Sequence, residues 1–337
     1  MNTSEQQYTV KFLIIRFSSM GDIILTTPVV RCLKQQVEGA EIHYLTKPQY
    51  TFLLDKNPYI DKIHSLGSFA KTLAALRNEG FDYIIDLHNN IRSLRFKRRL
   101  KVLDFSVRKL NFEKWLLTAF KINRLPQLHI VDRYFETVSL FDAKNDGKGL
   151  DYFVEDRYLT DVHQIFESLE KPYIVIAIGG QHQTKKLPAK QIAELCRLLR
   201  HPNVLIGGPE DLETANEATK LLHSDKTLNA CGLLSVDESA LLIKHACVVI
   251  THDTGMMHIA AAFKKIVFSV WGNTIPQFGM SPYMAHEQSQ LFEVQGLKCR
   301  PCSKLGYRSC PKKHFKCMTL QNIKAIALEA NKIGYQC

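Results

Sequence analysis

Short segments rich in apolar residues, each followed by a polar loop, recur along the chain and are predicted to be strands. They lie at residues 10–16, 41–45, 83–87, 173–178, 203–206, 247–250 and 266–270. A short, continuous apolar run is typical of a parallel strand that is covered on both faces. Helices are predicted between or after these strands, at about residues 23–36, 188–199 and 320–332 and from about residue 256. The alternation of strands and helices predicts an α/β fold with doubly wound parallel sheets.

The chain is long enough for two domains. Its 337 residues are 45% hydrophobic and 23% charged, which is ordinary for a globular protein. A polar, glycine-containing segment at residues 140–156 is the expected linker, so we predict domains at 1–155 and 156–337 that face each other across a cleft. No apolar run approaches the ~20 residues of a membrane-spanning helix. The polar N-terminus lacks the basic start of a signal peptide, which favours a cytoplasmic location.

Positive charge is concentrated in one part of the chain. The formal net charge is +11, and residues 92–124 hold eleven Lys and Arg against two acidic residues. Such a stretch suits nucleic acid, a phosphorylated glycolipid or an anionic membrane surface, and a merely solvated face is the alternative. Apolar residues such as Leu94, Trp115 and Phe120 are interleaved with the charges, which favours an amphipathic partner. No RNP-type, helix-turn-helix or zinc-finger pattern is present, so nucleic acid is the least favoured partner.

The polar loop after the run at 247–250 is the first candidate site. Doubly wound sheets bind ligands at the carboxyl ends of their strands, which is where Asp253, Thr254 and Gly255 are expected. A helix that starts near Met256 would direct free backbone N–H groups and its positive dipole end at an anion. A capped packing helix is the alternative. A second polar loop, residues 271–274, ends the next strand at the same edge and favours a site.

Asp22 follows the first strand and a Ser-Ser-Met-Gly turn. As a carboxylate at the mouth of the N-terminal sheet, it is a candidate general base. Gly21 allows the turn without a Cβ clash. Ser18 and Ser19 could donate to an anion or simply close the turn. The alternative role of Asp22 is N-cap of the helix predicted from Ile23.

A glycine-rich turn at residues 179–188 is the second candidate for anion binding. With Thr184 and Lys185 before a helix it can cradle phosphate, and Lys185 can neutralise a diphosphate as a point charge. Its spacing is neither that of a P-loop nor that of the dinucleotide-binding fingerprint, and an exposed loop is the alternative. Glu210, just past the strand at 203–206, could hold ribose hydroxyls or start the next helix.

Four cysteines near the C-terminus have the spacing C-x2-C-x7-C-x6-C: Cys299, Cys302, Cys310 and Cys317. Four thiols at such spacing suit a structural, tetrahedral Zn or Fe site. Reduced thiols and a disulfide or redox role are the alternatives, and the expected cytosolic location disfavours stable disulfides. No array of Asp or Glu marks a catalytic metal site.

In this order, the motifs resemble glycosyltransferase family 9, the ADP-heptose:lipopolysaccharide heptosyltransferase family, over nearly the whole chain. The most specific matches are residues 18–22 (Ser-Ser-Met-Gly-Asp) and 253–258 (Asp-Thr-Gly-x-x-His). Further matches are residues 26–28, 86–93, 185–188 and 208–210 and the Cys-x-Pro-Cys segment. The family has the GT-B architecture. The resemblance therefore implies two Rossmann-like domains, an acceptor-binding one at 1–155 and a nucleotide-sugar-binding one at 156–337, the latter with the Cys-rich segment 299–317 and a C-terminal helix.

The resemblance also implies roles for individual residues. Asp22 would deprotonate the acceptor hydroxyl in an inverting transfer from ADP-heptose to a lipopolysaccharide core or lipid A-type glycolipid, with no catalytic cofactor or metal. The implied donor-binding residues are Ser18, Ser19, Gly21, Thr184, Lys185, Glu210, Asp253, Thr254, Gly255 and His258. The implied acceptor-binding residues are His88, Asn89, Arg92 and Arg95. The basic stretch would meet the phosphorylated acceptor at the inner face of the cytoplasmic membrane.

Two further functions stay open. One is a transferase of the same family that uses another nucleotide sugar, and the other is a catalytically inactive sugar-nucleotide-binding homologue. Asp22, Lys185 and Asp253 are all present, which argues against the inactive homologue. Leu187 and Met257 depart from the residues commonest in the family, so the sequence does not specify the sugar or the acceptor.

Overall fold

The structure is a computed structural model that describes residues 9–155, 172–222 and 226–334. The chain divides into two compact units. The first contains the described residues up to Lys109 together with Leu128–Phe153, and the second contains Leu110–Gln127 and the described residues from Val154 onwards. A single cut near residue 155 therefore differs from this division in one segment, 110–127. Residues 156–171, where the predicted second domain begins, lie outside the described residues.

The first unit is built on a five-stranded parallel sheet. Its strands are β1 (Val10–Ile15), β2 (Ala40–Thr46), β3 (Lys62–Ser65), β4 (Tyr83–Asp86) and β5 (Leu103–Ser106). Their spatial order is β3-β2-β1-β4-β5, and every pair is parallel. The sheet is thus doubly wound, with its topological switch point between β1 and β4.

The second unit is built on a six-stranded parallel sheet. Its strands are β6 (Ile174–Ala177), β7 (Asn203–Ile206), β8 (Thr227–Asn229), β9 (Val248–His252), β10 (Ile266–Trp271) and β11 (Gln290–Glu293). The order is β11-β10-β9-β6-β7-β8, again all parallel. The chain runs outward from β6 in one direction and returns to build the other half from β9, so the switch point lies between β6 and β9.

The described α-helices flank these sheets. In chain order they are α1 (Met20–Ile24), α2 (Thr27–Gln36), α3 (Phe69–Arg77), α4 (Ile91–Leu100), α5 (Asn111–Phe120), α6 (Ile130–Phe135), α7 (Ala189–Leu198), α8 (Leu212–Lys220), α9 (Val236–His245), α10 (Gly255–Ala262), α11 (Lys316–Thr319) and α12 (Ile323–Gly334). Helix α5 belongs to the second unit. Among the described helices, none combines the length and the apolar character that crossing a bilayer requires.

The helix predicted at residues 23–36 is two helices, α1 and α2. The break falls at Leu25 and Thr26, and Pro28 lies in the first turn of α2. Proline has no backbone N–H to donate and its ring clashes with the preceding turn, so it is stable at a helix start and not in a helix interior. At the break, the hydroxyls of Thr26 and Thr27 donate to the carbonyl oxygens of Ile23 and Ile24, at 2.6 and 2.8 Å.

Each sheet has its own apolar core. In the first unit, Leu13, Ile15 and Phe96 pack together with no measurable exposure. In the second, Ile250 and Phe268 pack among residues of α7 and α12. Complete burial of one such side chain contributes roughly 1.5–3 kcal/mol, so the central strands hold the loops at their carboxyl ends on a stable support.

The predicted linker at residues 140–156 is largely part of the first unit. Arg31 on α2 is only 2% exposed and forms an ion pair with Asp146 at 2.8 Å and another with Asp151. Its guanidinium also donates to the Gly149 carbonyl oxygen at 2.9 Å. The segment is polar because its carboxylates, Asp146 and Asp151, neutralise a buried arginine, and not because it is a solvated linker.

Candidate active site

The switch point of the first sheet gathers the polar residues that follow β1 and β4. Arg16 and the loop that leads to Asp22 leave β1, and His88 follows β4. Arg16 Nη1 donates to the Leu87 carbonyl oxygen at 2.5 Å, which ties the two strand ends together. Doubly wound sheets bind ligands at this position, so the first unit places Asp22 and His88 where a site is expected.

Both carboxylate oxygens of Asp22 have protein partners. Oδ1 lies 2.5 Å from Arg16 Nη2, and Oδ2 accepts from Ser19 Oγ at 2.7 Å and from the Ser19 backbone N–H at 3.1 Å. Helix α1 begins at Met20, with Ser19 as its cap, so Asp22 is the third residue of the helix. The alternative role of Asp22 as the N-cap is therefore wrong. Ser19 is the N-cap, and Asp22 accepts its hydrogen bonds from inside the first turn.

Two opposing effects set the pKa of Asp22. Burial alone raises it, but the Arg16 cation and the two hydrogen bonds from Ser19 outweigh burial, so the net pKa lies below the ordinary value. For Arg16, burial lowers the pKa, but Asp22, followed by Tyr134 and Tyr44, more than compensates and the net pKa is raised. Asp22 is thus an ionised carboxylate at neutral pH that can accept a proton, with a proton affinity reduced by its neighbour.

Arg16 and Tyr134 were missed by sequence reasoning. The Tyr134 hydroxyl is buried and has no hydrogen-bond partner among the described residues, and burial raises the pKa of this tyrosine to about 12. Arg16 lowers that pKa and Asp22 raises it, so all three groups act on one another electrostatically. The position of Arg16 directly after four consecutive apolar residues, 12–15, could have identified it, whereas no sequence pattern distinguishes Tyr134.

The loop after β4 holds the predicted acceptor residues His88 and Asn89. Asp86 Oδ1 accepts their backbone N–H groups at 3.0 and 2.7 Å, and Asn89 has a left-handed φ of 45°. The His88 ring lies 4.8 Å from the Phe17 ring. Burial, followed by the Arg16 cation, lowers the pKa of His88 to about 3, so this imidazole is neutral at physiological pH.

Two predicted acceptor residues lie on α4 against aromatic rings. The Arg95 guanidinium carbon lies 4.4 Å from the Phe69 ring centroid, and that of Arg92 lies 6.0 Å from the Phe17 centroid. Cation–π contacts of this kind orient a guanidinium at an exposed site while its donors face outward. Phe17 therefore links Arg92 to His88, and both belong to one surface near the end of β1.

The basic stretch is divided between the two units at residue 110. Within it, Lys97 is only 8% exposed and pairs with Asp86 at 3.3 Å and Asp104 at 2.7 Å, so it faces inward. Lys121 Nζ donates to the Pro301 carbonyl oxygen at 2.6 Å. Lys97 therefore adds no solvent-facing charge, whereas Lys121 is exposed and attaches its segment to the carbonyl oxygen of Pro301.

The switch point of the second sheet carries a polar network around Asp253. Lys185 Nζ lies 2.5 Å from Asp253 Oδ2, which also accepts from Thr274 Oγ1 at 2.8 Å. Thr274 is 1% exposed. The polar loops that follow β6, β9 and β10 thus meet at one edge, and the predicted placement of loop 271–274 beside Asp253 is confirmed.

Helix α10 begins at this network. Thr254 precedes it with an extended backbone and Gly255 is its first residue. The first N–H groups of a helix have no acceptor within the helix, so they are available to an anion. Gly180 packs closely against Thr254, since a Cβ at residue 180 would lie 3.2 Å from Thr254 Cγ2. His258, one turn further along, is 2% exposed.

A buried ion pair beneath this edge was also missed. Lys186 Nζ lies 2.8 Å from Asp211 Oδ1, and Asp211 Oδ2 accepts from the Gly208 backbone N–H at 3.0 Å. Asp211 is 1% exposed, whereas the predicted ribose-binding Glu210 is exposed beside it. A Cβ at Gly179 would lie 2.7 Å from Asp211 Oδ2, so the glycine turn is shaped to admit this carboxylate.

Thr184 is held in place by the loop around Tyr307. Its hydroxyl accepts the Tyr307 backbone N–H at 2.8 Å, and its own N–H donates to the Tyr307 carbonyl oxygen at 3.2 Å. Thr184 is 2% exposed. In this structure it anchors the Cys-rich segment next to Lys185.

The four C-terminal cysteines have different surroundings. Cys317 is buried, and Cys299, Cys302 and Cys310 are partly exposed. Burial, followed by the neighbouring Cys302, raises the pKa of Cys317 to about 11. Cys299 Sγ lies 3.8 Å from His314 Nε2. Among the described residues, these thiols do not form a group of three or more ligand atoms within 4.8 Å of one another.

Comparison with known proteins identifies the family of this chain. The sequence profile of Glycosyltransferase family 9 (heptosyltransferase) matches residues 69–308, well over half of the chain. The chain belongs to glycosyltransferase family 9. Lipopolysaccharide heptosyltransferase 1 of Campylobacter coli is 25% identical over 288 residues, which cover 78% of this chain and 84% of the relative.

Solved structures share the fold of this family 9 glycosyltransferase. A family 9 glycosyltransferase from Veillonella parvula superposes with a TM-score of 0.77 at 20% identity and full coverage of both chains. E. coli ADP-heptose lps heptosyltransferase II superposes with a TM-score of 0.74 at 20% identity, covering 97% of this chain and 99% of that one. The prediction of two Rossmann-like parallel-sheet domains of the GT-B class is confirmed, and so is the prediction that the chain is a glycosyltransferase.

Proposed function

We propose that this enzyme transfers a heptose from ADP-heptose to a glycolipid of the lipopolysaccharide core or lipid A type. The family and the names of its relatives support the sugar and the pathway. The observation that carries the donor side is the network of Lys185, Asp253 and Thr274 at the start of α10. It combines a cation, hydroxyl-binding oxygens and a helix N-terminus, which are the groups that a nucleotide sugar requires.

The donor would be held at the second switch point. Lys185 and the first N–H groups of α10, at Gly255, would bind the diphosphate, and Asp253 would accept hydrogen bonds from sugar hydroxyls. The exposed Glu210 would bind the ribose, with the buried Asp211 next to it fixing the turn through the Gly208 N–H. Thr184, Thr254 and His258, together with Ser18, Ser19 and Gly21 of the first unit, complete the proposed donor set.

The proposed chemistry is a direct, inverting displacement. The acceptor oxygen forms a bond to the anomeric carbon while the bond from that carbon to the diphosphate breaks, and the acceptor proton passes to Asp22. Because Arg16 lowers the proton affinity of Asp22, proton transfer is expected late, when the acceptor oxygen has become acidic. Lys185 and the α10 dipole would stabilise the charge that develops on the leaving diphosphate.

Nucleotide titration tests the donor half of the proposal. Calorimetry of the full chain with ADP, UDP, GDP and CDP should give selective binding of ADP. Asp253→Ala should weaken it by about tenfold or more, while Glu217→Ala on the exposed face of α8 should not change it. Preference for UDP or GDP would keep the transferase and reject the heptose. No nucleotide binding would contradict the proposed donor site itself.

We also propose that the acceptor is met at the inner face of the cytoplasmic membrane. Helix α5 and the residues after it expose large apolar side chains: Phe112 is 62%, Trp115 52%, Phe120 59% and Ile122 47% exposed. Lys114 and Arg124 lie in the same segment. A segment that exposes aromatic residues beside basic ones can insert shallowly into anionic lipid. His88, Asn89, Arg92 and Arg95 are the residues proposed to bind the acceptor headgroup.

Tryptophan fluorescence tests this contact without a label. The chain has two tryptophans, and Trp271 is 1% exposed, so a spectral shift on adding vesicles reports on Trp115. Phosphatidylglycerol vesicles should shift the emission to the blue, and phosphatidylcholine vesicles should not. Phe120→Ser should weaken the response, whereas Leu328→Ser, a similarly exposed residue of α12, should leave it intact. Equal responses of the two variants would reject the contact.

A structural Zn or Fe at the cysteines of the segment 299–317 remains part of the proposal. Four thiols are a chemically suitable donor set, but their sulfurs would have to move closer together to share one ion. Bound metal would cross-link the segment that Thr184 and Lys121 anchor. Elemental analysis of chelator-free protein should find about one equivalent of metal that Cys302→Ser loses without a change in ADP affinity. Metal-free wild-type protein would remove this site.

A further inference from the structure

Two buried histidines face each other at the β3 edge of the first sheet. His43 on β2 is 1% exposed and His64 on β3 is 8% exposed. Their rings approach with His43 Nδ1 3.0 Å from His64 Nε2. Glu79, just after α3, brings its carboxylate to 3.9 Å from His43 Nδ1 and 4.0 Å from His64 Nε2. These are the only three residues with metal-binding side chains that the described parts of the chain bring within 4.8 Å as a group.

A second carboxylate orients His43. Glu41 Oε1 lies 2.7 Å from His43 Nε2, so the ring carries its proton on Nε2 and presents the Nδ1 lone pair to His64 and Glu79. Metal-binding histidines commonly donate their other N–H to a carboxylate in this way, which fixes the tautomer and strengthens the ligand. None of these four residues takes part in the proposed transfer reaction.

We propose that His43 Nδ1, His64 Nε2 and the Glu79 carboxylate bind a divalent transition metal, with Zn2+ the best-matched ion. Two imidazoles and one carboxylate form a known zinc donor set, in which a water completes the tetrahedron. Ligand atoms about 2.0–2.1 Å from one ion lie about 3.3 Å apart. The two ring nitrogens lie 3.0 Å apart, and Glu79 places Oε2 3.9 Å from His43 Nδ1 and Oε1 4.0 Å from His64 Nε2. Changes of roughly 0.3–0.7 Å in these distances would reach the value for a shared ion.

One proton and one ion pair must be rearranged when the ion binds. The Nε2 proton of neutral His64 moves to its Nδ1, a change of tautomer that leaves the number of bound protons unchanged. Lys62 Nζ, now 2.6 Å from Glu79 Oε1, must release that oxygen. Lys62 is 53% exposed, so its side chain can turn into solvent. The bound ion would link β2, β3 and the end of α3, and would stabilise the edge of the first unit.

Zinc binding by the full chain tests the site. Titration against a chromophoric chelator should give one more equivalent of Zn2+ for the wild type than for Glu79→Gln, and Zn2+ should raise the melting temperature of the wild type more than that of Glu79→Gln. Glutamine can keep the hydrogen bond with Lys62, so the variant is expected to fold. Glu38→Gln, on an exposed residue of the same unit, should behave like the wild type.

Cobalt spectra separate this site from the cysteines. Thiolate ligands give intense charge-transfer absorption with Co2+, whereas imidazole and carboxylate ligands give only weak d–d bands. Glu79→Gln should lose d–d intensity and keep any thiolate absorption, and Cys302→Ser should do the reverse. Equal Zn2+ stoichiometry and equal melting shifts in the wild type and Glu79→Gln would overturn the proposal and leave a histidine pair that only packs. ADP binding should be the same in all variants, so this result is independent of the proposed transferase activity.

Discussion

At the scale of single residues, Asp22 combines a structural role at the start of α1 with its proposed catalytic role, although Ser19, and not Asp22, is the N-cap. Its carboxylate satisfies the Ser19 backbone N–H at the start of α1, and it is also paired with Arg16 at the switch point of the sheet. The helix start fixes the side chain, and the fixed side chain lies where a substrate is expected. A capping function therefore supports the proposed catalytic function, because an immobile base loses little entropy on reaction.

Asp22→Asn tests the proposed base. The amide keeps the size of the side chain and can still accept from Ser19, but it cannot take up a proton. We expect kcat to fall by ~10²–10⁴, the usual contribution of a general base, while ADP affinity stays near that of the wild type. Steady-state kinetics and calorimetry on the same preparation measure both.

The control for Asp22→Asn is Asp82→Asn, an exposed carboxylate of the same unit that accepts from the Lys11 backbone N–H at 2.8 Å. It should leave kcat unchanged. A thermal unfolding scan must accompany the kinetics, because Asp22→Asn leaves the buried Arg16 without its ion pair. Normal turnover by a stable Asp22→Asn protein would reduce Asp22 to a structural residue.

Adjacent residues of like charge limited what the sequence could predict about the site. It identified Lys185 and Glu210, but the buried pair is formed by their neighbours Lys186 and Asp211. Which of two consecutive side chains turns inward depends on the backbone path after a strand, and no periodicity exists in a loop to reveal it. Asp253 could be predicted because the apolar run 247–250 marks a buried strand, and that strand, β9, ends immediately before Asp253.

At the scale of elements, the central strands could be predicted and the edge strands could not. Every strand identified from an apolar run lies inside a sheet, whereas β3, β5, β8 and β11 each lie at an edge. An edge strand is covered less completely, so it does not need a continuous apolar sequence: β5 has no fully buried residue. The predictive signal is burial on both faces, and edge strands lack it.

The end of β10 depends on a glycine. A Cβ at Gly272 would lie 2.7 Å from the Thr184 carbonyl oxygen and 2.5 Å from Met318 Sδ, and the backbone oxygen cannot move aside cheaply. We expect Gly272→Ala to lower the free energy of unfolding by about 1–3 kcal/mol, as overpacking does. Urea unfolding measures this change. Gly67→Ala is the matched control, because its nearest atom, Thr72 Oγ1, would be at 3.8 Å, and a loss of stability as large there would contradict the steric explanation.

The attachment of residues 142–153 to α2 should depend on pH. Hydrogen bonds from Arg31 lower the pKa of Asp146 to about 2, below its ordinary value of 3.8. The folded state therefore binds this proton more weakly than the unfolded state, so the stabilisation is complete above about pH 4 and is lost as the pH falls towards 2. A shift of this size corresponds to about 2 kcal/mol.

Asp146→Asn isolates this contribution. At pH 7 the variant should be less stable than the wild type by about 2 kcal/mol, and at pH 3 the difference should shrink to roughly half. Urea unfolding followed by circular dichroism at the two pH values gives both numbers. Asp142→Asn, on an exposed residue of the same segment, should show little change at either pH. A pH-independent difference would mean that Asp146 acts through packing and not through its charge.

At the scale of the whole molecule, sequence order and spatial order disagree for one segment. Residues 110–127 precede the boundary near residue 155 but belong to the second unit. Side-chain contacts explain why. Lys121 Nζ donates to the carbonyl oxygens of Pro301 and Cys299 at 2.6 and 3.3 Å, and Lys304 Nζ donates to Asn111 Oδ1 at 3.3 Å. Contacts between residues some 180 positions apart leave no local sequence pattern, so composition could not reveal that residues 110–127 belong to the second unit.

Lys121→Ala tests whether those contacts hold the segment. The lysine ammonium satisfies two carbonyl oxygens of the Cys-rich segment, so its removal should increase local opening of both α5 and residues 299–302. Hydrogen exchange followed by mass spectrometry should show faster exchange in both peptides, by about fivefold, since an exposed charged hydrogen bond contributes about 1 kcal/mol. Exchange in β1 should not change. Lys190→Ala, an exposed lysine on α7, is the control and should exchange like the wild type throughout. Faster exchange in α5 alone would show that Lys121 only stabilises its own helix, through the Thr118 carbonyl oxygen that it also contacts at 3.0 Å, and that other residues attach the segment to the second unit.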